Sequence, residues 1–265
     1  MDRVSIFDLI NPLYSLSGFG VGLLVGLTGV GGGSLMTPLL ILLFGIQPAT
    51  AVGTDLLYAA ITKCGGTIVH GWHKNVDWRL TARLATGSVP AAIIMLLLLN
   101  YLGLSGEAAS RLISFALGSA IMLTAIALIF RKSVTAFAAG RTEMSEGRTA
   151  VLTIVTGAVL GVLVSLSSVG AGALGMTALI ILYPKLPTVT LVGSDIAHAV
   201  PLTLVAGIGH WILGTVNWLL IASLLVGSLP GIVLGSHLSA YLPDRVLRPI
   251  LAIILLFVGY RILAV

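Results

Sequence analysis

Apolar residues run almost unbroken through this chain, and polar positions punctuate them at regular intervals. Near-uncharged runs cover about Tyr14–Phe44, Ala49–Val69, Leu84–Leu102, Leu112–Phe130, Ala150–Tyr183, Val189–Leu213, Trp218–Leu242 and Val246–Gly259. A membrane-spanning helix needs about 20 such residues, so the pattern predicts a polytopic helical membrane protein. The first and fifth runs are too long for one span. Both are interrupted by small residues, Gly29-Val30-Gly31-Gly32-Gly33-Ser34 and Ser167-Ser168-Val169-Gly170-Ala171-Gly172. Divided there, the chain yields ten pieces. They are Tyr14–Thr28, Leu35–Phe44, Ala49–Val69, Leu80–Leu99 and Arg111–Phe130, then Ala150–Ser167, Ala173–Tyr183, Val189–Leu213, Trp218–Ala240 and Val246–Leu263. The second piece of each five covers only about half of a ~30 Å hydrocarbon core.

The two sets of five are copies. Val30-Gly31-Gly32-Gly33 is echoed by Val169-Gly170-Ala171-Gly172 at an offset of 139. At an offset of 140, Val52-Gly53-Thr54-Asp55 matches Val192-Gly193-Ser194-Asp195, and His70 matches His210. Val76-Asp77-Trp78 likewise matches Val216-Asn217-Trp218, and Gly87-Ser88-Val89-Pro90 matches Gly227-Ser228-Leu229-Pro230. Collinear matches with a single one-residue slip predict a tandem duplication. The expected organisation is a first repeat over residues 1–131, a linker loop over 132–148 and a second repeat over 149–265.

Charge sets the solvent and the orientation. Only 9% of the residues are charged and 57% are hydrophobic, whereas a soluble surface requires roughly 25% charged residues. The excess of basic residues suggests nucleic acid, but they lie in loops between apolar runs rather than clustered with aromatics, so no nucleic-acid partner is expected. If the first two pieces of each half form a hairpin, Lys74, Arg79, Arg83, Arg131, Lys132, Arg141, Arg148, Lys185, Arg245 and Arg248 share one side. The positive-inside rule makes that side cytoplasmic and puts both termini outside. Each half then crosses an odd net number of times, so the second copy is inverted, an arrangement of many secondary transporters. The first apolar stretch is not followed by a small-residue cleavage site and is expected to be retained. The lone Cys64 excludes an intrachain disulfide.

Candidate chemistry gathers at the breaks and beside them. Helix backbone is interrupted in lipid only where protein or a water-filled cavity satisfies the freed groups. The start of the following helix presents unpaired N–H groups and a positive dipole end, which suits an anion. Gly31, Gly32, Gly33 and Ser34 are therefore candidate substrate contacts, as are Gly170, Ala171 and Gly172. Thr54 and Ser194 are added as hydroxyl donors and Lys63 as a cation. Asp55, Asp195 and His198 form a candidate proton-coupling set, since an intramembrane Asp costs roughly 2.5–3.5 kcal/mol and is seldom without purpose. The bland alternative makes each Asp a helix cap and Lys63 one half of a structural ion pair. Gly18, Gly22 and Gly26, with Gly157, Gly161 and Ser165, form small-residue stripes that suit helix packing. His70 and His210, beside Trp72 and Trp211, read as interfacial anchors. No Cys/His cluster suggests a metal, no cofactor is implied, and no nucleophile–base pair suggests an enzyme.

Gly29–Ser34 followed by Thr37-Pro38-Leu39-Leu40, together with Ala51-Val52-Gly53-Thr54, Asn75-Val76-Asp77-Trp78-Arg79 and the Gly-x-x-Pro at 87–90, resembles the sulfite exporter TauE/SafE family over about residues 14–264. The resemblance implies a multi-pass protein of the bacterial inner membrane that moves a sulfur-containing anion such as sulfite or an organosulfonate, usually outward. Asp55 and Asp195 stand where the resemblance leads one to expect a hydroxyl residue, which makes this interior more ionisable. The expected partners are a small anion and the lipid bilayer, with a homodimer left open. An anion channel or an importer on the same scaffold is the alternative, and an intramembrane enzyme the most distant one.

Overall fold

The structure is a computed structural model that describes residues 11–28, 33–101, 107–140, 144–238 and 244–264. Among the described residues there are eleven helices and no strand. They are α1 (Pro12–Thr28), α2 (Gly33–Phe44), α3 (Pro48–Trp72), α4 (Trp78–Tyr101), α5 (Glu107–Ile129), α6 (Arg131–Ala139), α7 (Glu146–Ser167), α8 (Ala173–Leu182), α9 (Thr188–Ile212), α10 (Trp218–Leu238) and α11 (Asp244–Leu263). Helices answer the sequence directly, because in lipid each backbone polar group must be paired within its own segment. Ten of the eleven correspond to the ten apolar pieces. The linker expected as a loop instead contains α6, a nine-residue helix packed on α8.

Five helices, α4, α5, α7, α9 and α10, are long and apolar enough to cross a membrane. The 25-residue α3 is long enough at about 37 Å but is not among them. Asp55, Lys63 and four glycines lower the mean hydropathy of this helix. Burial compensates. All ten residues from Ala51 to Ala60 are buried in the protein.

Glycine decides how the helices approach. Gly18, Gly22 and Gly26 on α1 back onto the main chain of Leu224, Ser228 and Ile232 on α10. Gly157 and Gly161 on α7 back onto Leu84 and Ser88 of α4. Numbers rise together in both cases, so each pair runs parallel. In both pairs the partner glycines face back: Gly227 meets Ser15, and Gly87 meets Ile154. Lipid gives no hydrophobic drive between helices, so such backbone contact carries the packing. By contrast α3 and α9 run antiparallel, with Gly53 against His210, Leu57 against Gly207, Ile196 against Gly66 and Gly193 against His70. Helices α5 and α11 also run antiparallel, joined where Gly118 and Gly259 meet.

The turns after α3 and α9, 140 residues apart, have equivalent surroundings. The turn after α3 carries a positive φ at Lys74, and the turn after α9 carries one at Gly214. Asn75 N–H donates to the His70 carbonyl at 2.9 Å, and Thr215 N–H to the His210 carbonyl at 3.0 Å. Asp77 N–H donates to the Ser194 hydroxyl, and Asn217 N–H to the Thr54 hydroxyl. Each turn is thus tied to the other long helix.

Gly157→Leu should prevent α7 from closing on α4 and destabilise the fold by about 1–3 kcal/mol or more, as overpacking does. Gly20→Leu, on an open face of α1, should not. Thermal unfolding of the two purified variants in detergent checks this.

Candidate functional site

The chain breaks between α7 and α8. Helix α7 ends at Ser167, and Ser168 takes a left-handed φ of 58° while its N–H still bonds the Val164 carbonyl. Gly170 and Gly172 then hold φ of 130° and 139°, values an L side chain rarely adopts. Only glycine turns the chain so sharply there. Gly175 N–H reaches back to the Gly170 carbonyl at 3.0 Å and Met176 N–H to the Gly172 carbonyl at 2.8 Å. Helix α8 therefore starts at a half-buried turn, where the N–H groups of Gly175 and Met176 are paired by the break itself. Of the corresponding residues in the first half, Gly31 and Gly32 lie outside the described residues. Gly33 opens α2, and Ser34 is buried in its first turn.

Lys63 reaches this break. It lies about midway along α3, and its ammonium donates to the Ala171 carbonyl at 3.2 Å. Among the described residues no carboxylate comes within ion-pairing distance of it. It nonetheless lies within electrostatic range of Asp55, Asp195 and His198. A cation beside a helix start is a doubly positive place, which attracts an anion.

The three remaining candidates, Asp55, Asp195 and His198, are buried in α3 and α9. Asp55 accepts the Thr37 hydroxyl at 2.5 Å on one oxygen and has Ser168 beside it, while its Oδ1 has no partner among the described residues. Asp195 also has an unpartnered Oδ1, facing Gly175. His198 shares a hydrogen bond of 2.8 Å with the Ser88 hydroxyl through Nε2, and its Nδ1 is unpartnered. Both carboxylates sit at the eighth position of their helices, whose N-caps are Gln47 and Pro187. Helix capping does not account for them. An unsatisfied buried polar atom costs about 1–3 kcal/mol, and Asp55, Asp195 and His198 each carry one within electrostatic range of Lys63.

The two halves differ where the repeat slips. Met36-Thr37 corresponds to Met176-Thr177 at 140, whereas Gly33 corresponds to Gly172 at 139, so Gly175 is the extra residue. The insertion turns Thr177 away to bond the Ala173 carbonyl, and Asp195 loses the hydroxyl that Asp55 has. Lys63 is matched by Thr203, which bonds its own helix. Tyr58 and Ser228 occupy the places of His198 and Ser88.

Thr54 and Ser194 do not join this centre. Thr54 accepts Asn217 N–H at 3.1 Å, and Ser194 accepts Asp77 N–H at 2.8 Å while donating to the Thr190 carbonyl at 2.7 Å. They lie at opposite ends of the α3–α9 seam, because the two helices are antiparallel. The anchor reading of His210 is also overturned. It is buried, donating from Nε2 to the Ser165 carbonyl at 2.9 Å with Nδ1 2.9 Å from the Thr215 hydroxyl. A carbonyl in the last turn of α7 needs that donor. Trp72 and Trp211 do face outward. Thr37, Ser88, Ser168 and Gly175 escaped the sequence reading. The equivalence of Ser88 with Ser228 was the signal that could have drawn attention to one of them.

A family model described as "Sulfite exporter TauE/SafE" matches residues 14–262. The chain is similar to the probable membrane transporter protein YjnA of Bacillus subtilis, with 41% identity over 94% of this chain and 98% of the relative. A probable membrane transporter protein of Xylella fastidiosa is 28% identical over 92% of this chain and 93% of its own length. A third, the probable membrane transporter protein YdhB of Bacillus subtilis, is 25% identical over 87% and 91%. No solved structure matches the chain significantly.

Replacing His210 with alanine strands the Ser165 carbonyl in the interior. The expected loss is about 1–3 kcal/mol, read as a lowered midpoint of thermal unfolding, whereas His73→Ala on the exposed turn should leave the midpoint in place.

Proposed function

The chain belongs to the sulfite exporter TauE/SafE family and is a multi-pass membrane transporter, and on that premise we propose that it is a secondary exporter of a small sulfur-containing anion such as sulfite or an organosulfonate. The anion binds at the break between α7 and α8, against the N–H groups around Gly170, Ala171 and Gly172 and the ammonium of Lys63. Gly31, Gly32, Gly33 and Ser34 supply the corresponding surface from the first half. Asp195, with Asp55 and His198, carries the coupling proton. The observation that carries this reading is Lys63 crossing from one half to the broken backbone of the other. A cation and a helix start brought together by two halves leave room in charge for one anion.

The two halves, residues 1–131 and 149–265, are taken as inverted repeats, with α1–α2 and α7–α8 as re-entrant hairpins. What supports the inversion is that the equivalent helices α3 and α9, and equally α5 and α11, run antiparallel. Alternating access then follows from one half rocking on the other about the α3–α9 seam. In that motion Thr54 and Ser194 act as the latches of the two turns rather than as substrate ligands. The basic side of the membrane is cytoplasmic on this reading.

Reconstituted protein should move labelled sulfite, with flux that saturates and that a pH gradient drives uphill. A channel shows neither uphill movement nor coupling. Absence of flux with sulfite, sulfonates and related anions would sink the reading. Lys63→Met should reduce flux by at least about tenfold, the loss of one charged hydrogen bond to the substrate. Asp195→Asn should keep downhill exchange and lose the response to the gradient.

A further inference from the structure

A second constellation of charge lies away from the lysine centre. A cavity of about 410 Å³ opens where the turn after α3, the start of α7 and the segment after α8 meet. Its polar lining is Asp77, Arg83, Glu146, Thr149, Tyr183 and Lys185. One oxygen of Glu146 accepts from Arg83 at 3.0 Å and from Arg79 at 2.7 Å. Arg83 is largely covered, with 18% of its side chain exposed, whereas Glu146 is 65% exposed. Arg83 also meets the Tyr183 phenol, whose oxygen lies 2.8 Å from the Thr153 hydroxyl.

Two features set this cluster apart from a surface ion pair. First, a carboxylate held between two guanidiniums is itself an oxyanion in an oxyanion cradle, and guanidinium geometry suits sulfite, sulfonate and carboxylate alike. Arg83 is the covered member, whereas Arg79 and Glu146, the latter on the first turn of α7 beside the central linker, are both exposed, so Arg83 is the fixed element and Glu146 its displaceable occupant. Second, the basic residues of the cluster have no basic counterpart at the equivalent positions among the described residues. Residues 140 positions from Arg79, Arg83 and Lys185 are Leu219, Ser223 and Gly45. Ser223 is buried, accepting Asn11 N–H at 3.2 Å and donating to the Leu219 carbonyl at 2.9 Å. Where the basic face has an open cavity with guanidiniums, the opposite face has a helix start packed against a serine.

We propose that the cavity lined by Arg83 and Lys185 is the loading site for the transported anion on the basic face, held closed by Glu146, which Arg79 also pairs, as an internal competitor that the incoming oxyanion displaces. The inference rests on the anion-transport reading and deepens it, because a charged mouth on one face alone gives transport a preferred loading side. The competitor also sets a threshold: anion binds only when its concentration overcomes an effectively intramolecular carboxylate. Arg83 holds the anion and Arg79, at 73% exposure, attracts it, a contribution that salt screens.

Inside-out and right-side-out membrane vesicles, each loaded by labelled sulfite, separate the two faces. In inside-out vesicles Glu146→Gln should lower the half-saturating sulfite concentration about three- to tenfold, and Arg83→Gln should raise it about tenfold. Lys185→Gln, at the edge of the cavity, should raise it by a smaller factor and guards against misfolding of the arginine variant. In right-side-out vesicles all three should match the wild type. Unchanged half-saturation of the three variants in inside-out vesicles, with wild-type flux intact, overturns the loading site and leaves the transporter reading standing. If the wild type shows no sulfite flux, the transporter reading fails instead. Equilibrium binding of labelled sulfite to the purified full-length protein then decides the site, which falls if Glu146→Gln and Arg83→Gln bind as the wild type does.

Discussion

Lys63 on the broken backbone at Ala171 is the contact around which the rest of the molecule is arranged. A lysine at the middle of a membrane helix is costly in lipid, and it persists only where protein groups replace water. The replacement here is a carbonyl that exists as a free acceptor because α7 stops and α8 starts again. Glycines at 170 and 172 make the stop feasible. The break and the lysine therefore require each other: one frees a polar group, and the other consumes it.

Close packing elsewhere holds that contact in place. Parallel pairs α1–α10 and α4–α7 lock through glycine faces, leaving the antiparallel α3–α9 seam between them. The turns at 74–77 and 214–217 are tied to Ser194 and Thr54 at the two ends of the seam. Asp55, Asp195 and His198 each keep one buried atom without a partner among the described residues, as do Thr67, His70, Thr124, Ser168 and Ser228.

Difference between the halves matters as much as their likeness. One inserted residue, Gly175, rotates Thr177 off Asp195 while Thr37 stays on Asp55. Lysine faces threonine across the repeat, histidine faces tyrosine, and the arginines at one mouth face leucine and serine at the other. A strictly symmetric pair of halves would load equally from both sides. On the proposed reading, these substitutions are the places where the two halves acquire distinct ends.

Much was legible in the chain before any coordinates. Apolar run length and the deficit of charge determined a helical membrane protein, because lipid admits few other ways to pair a backbone. The offset of 140 pointed to two similar halves, and the small-residue stripes at Gly18, Gly22, Gly26, Gly157 and Gly161 determined which helix faces would touch. Tertiary structure alone decided the partners. It showed Lys63 on Ala171 rather than on a carboxylate, Thr54 and Ser194 apart rather than together, and His210 closing α7 rather than anchoring at an interface. The physical reason is that periodicity reports which face of one helix is buried. Which groups meet across a seam depends on helix direction and register, and these are fixed by contacts between residues more than a hundred positions apart.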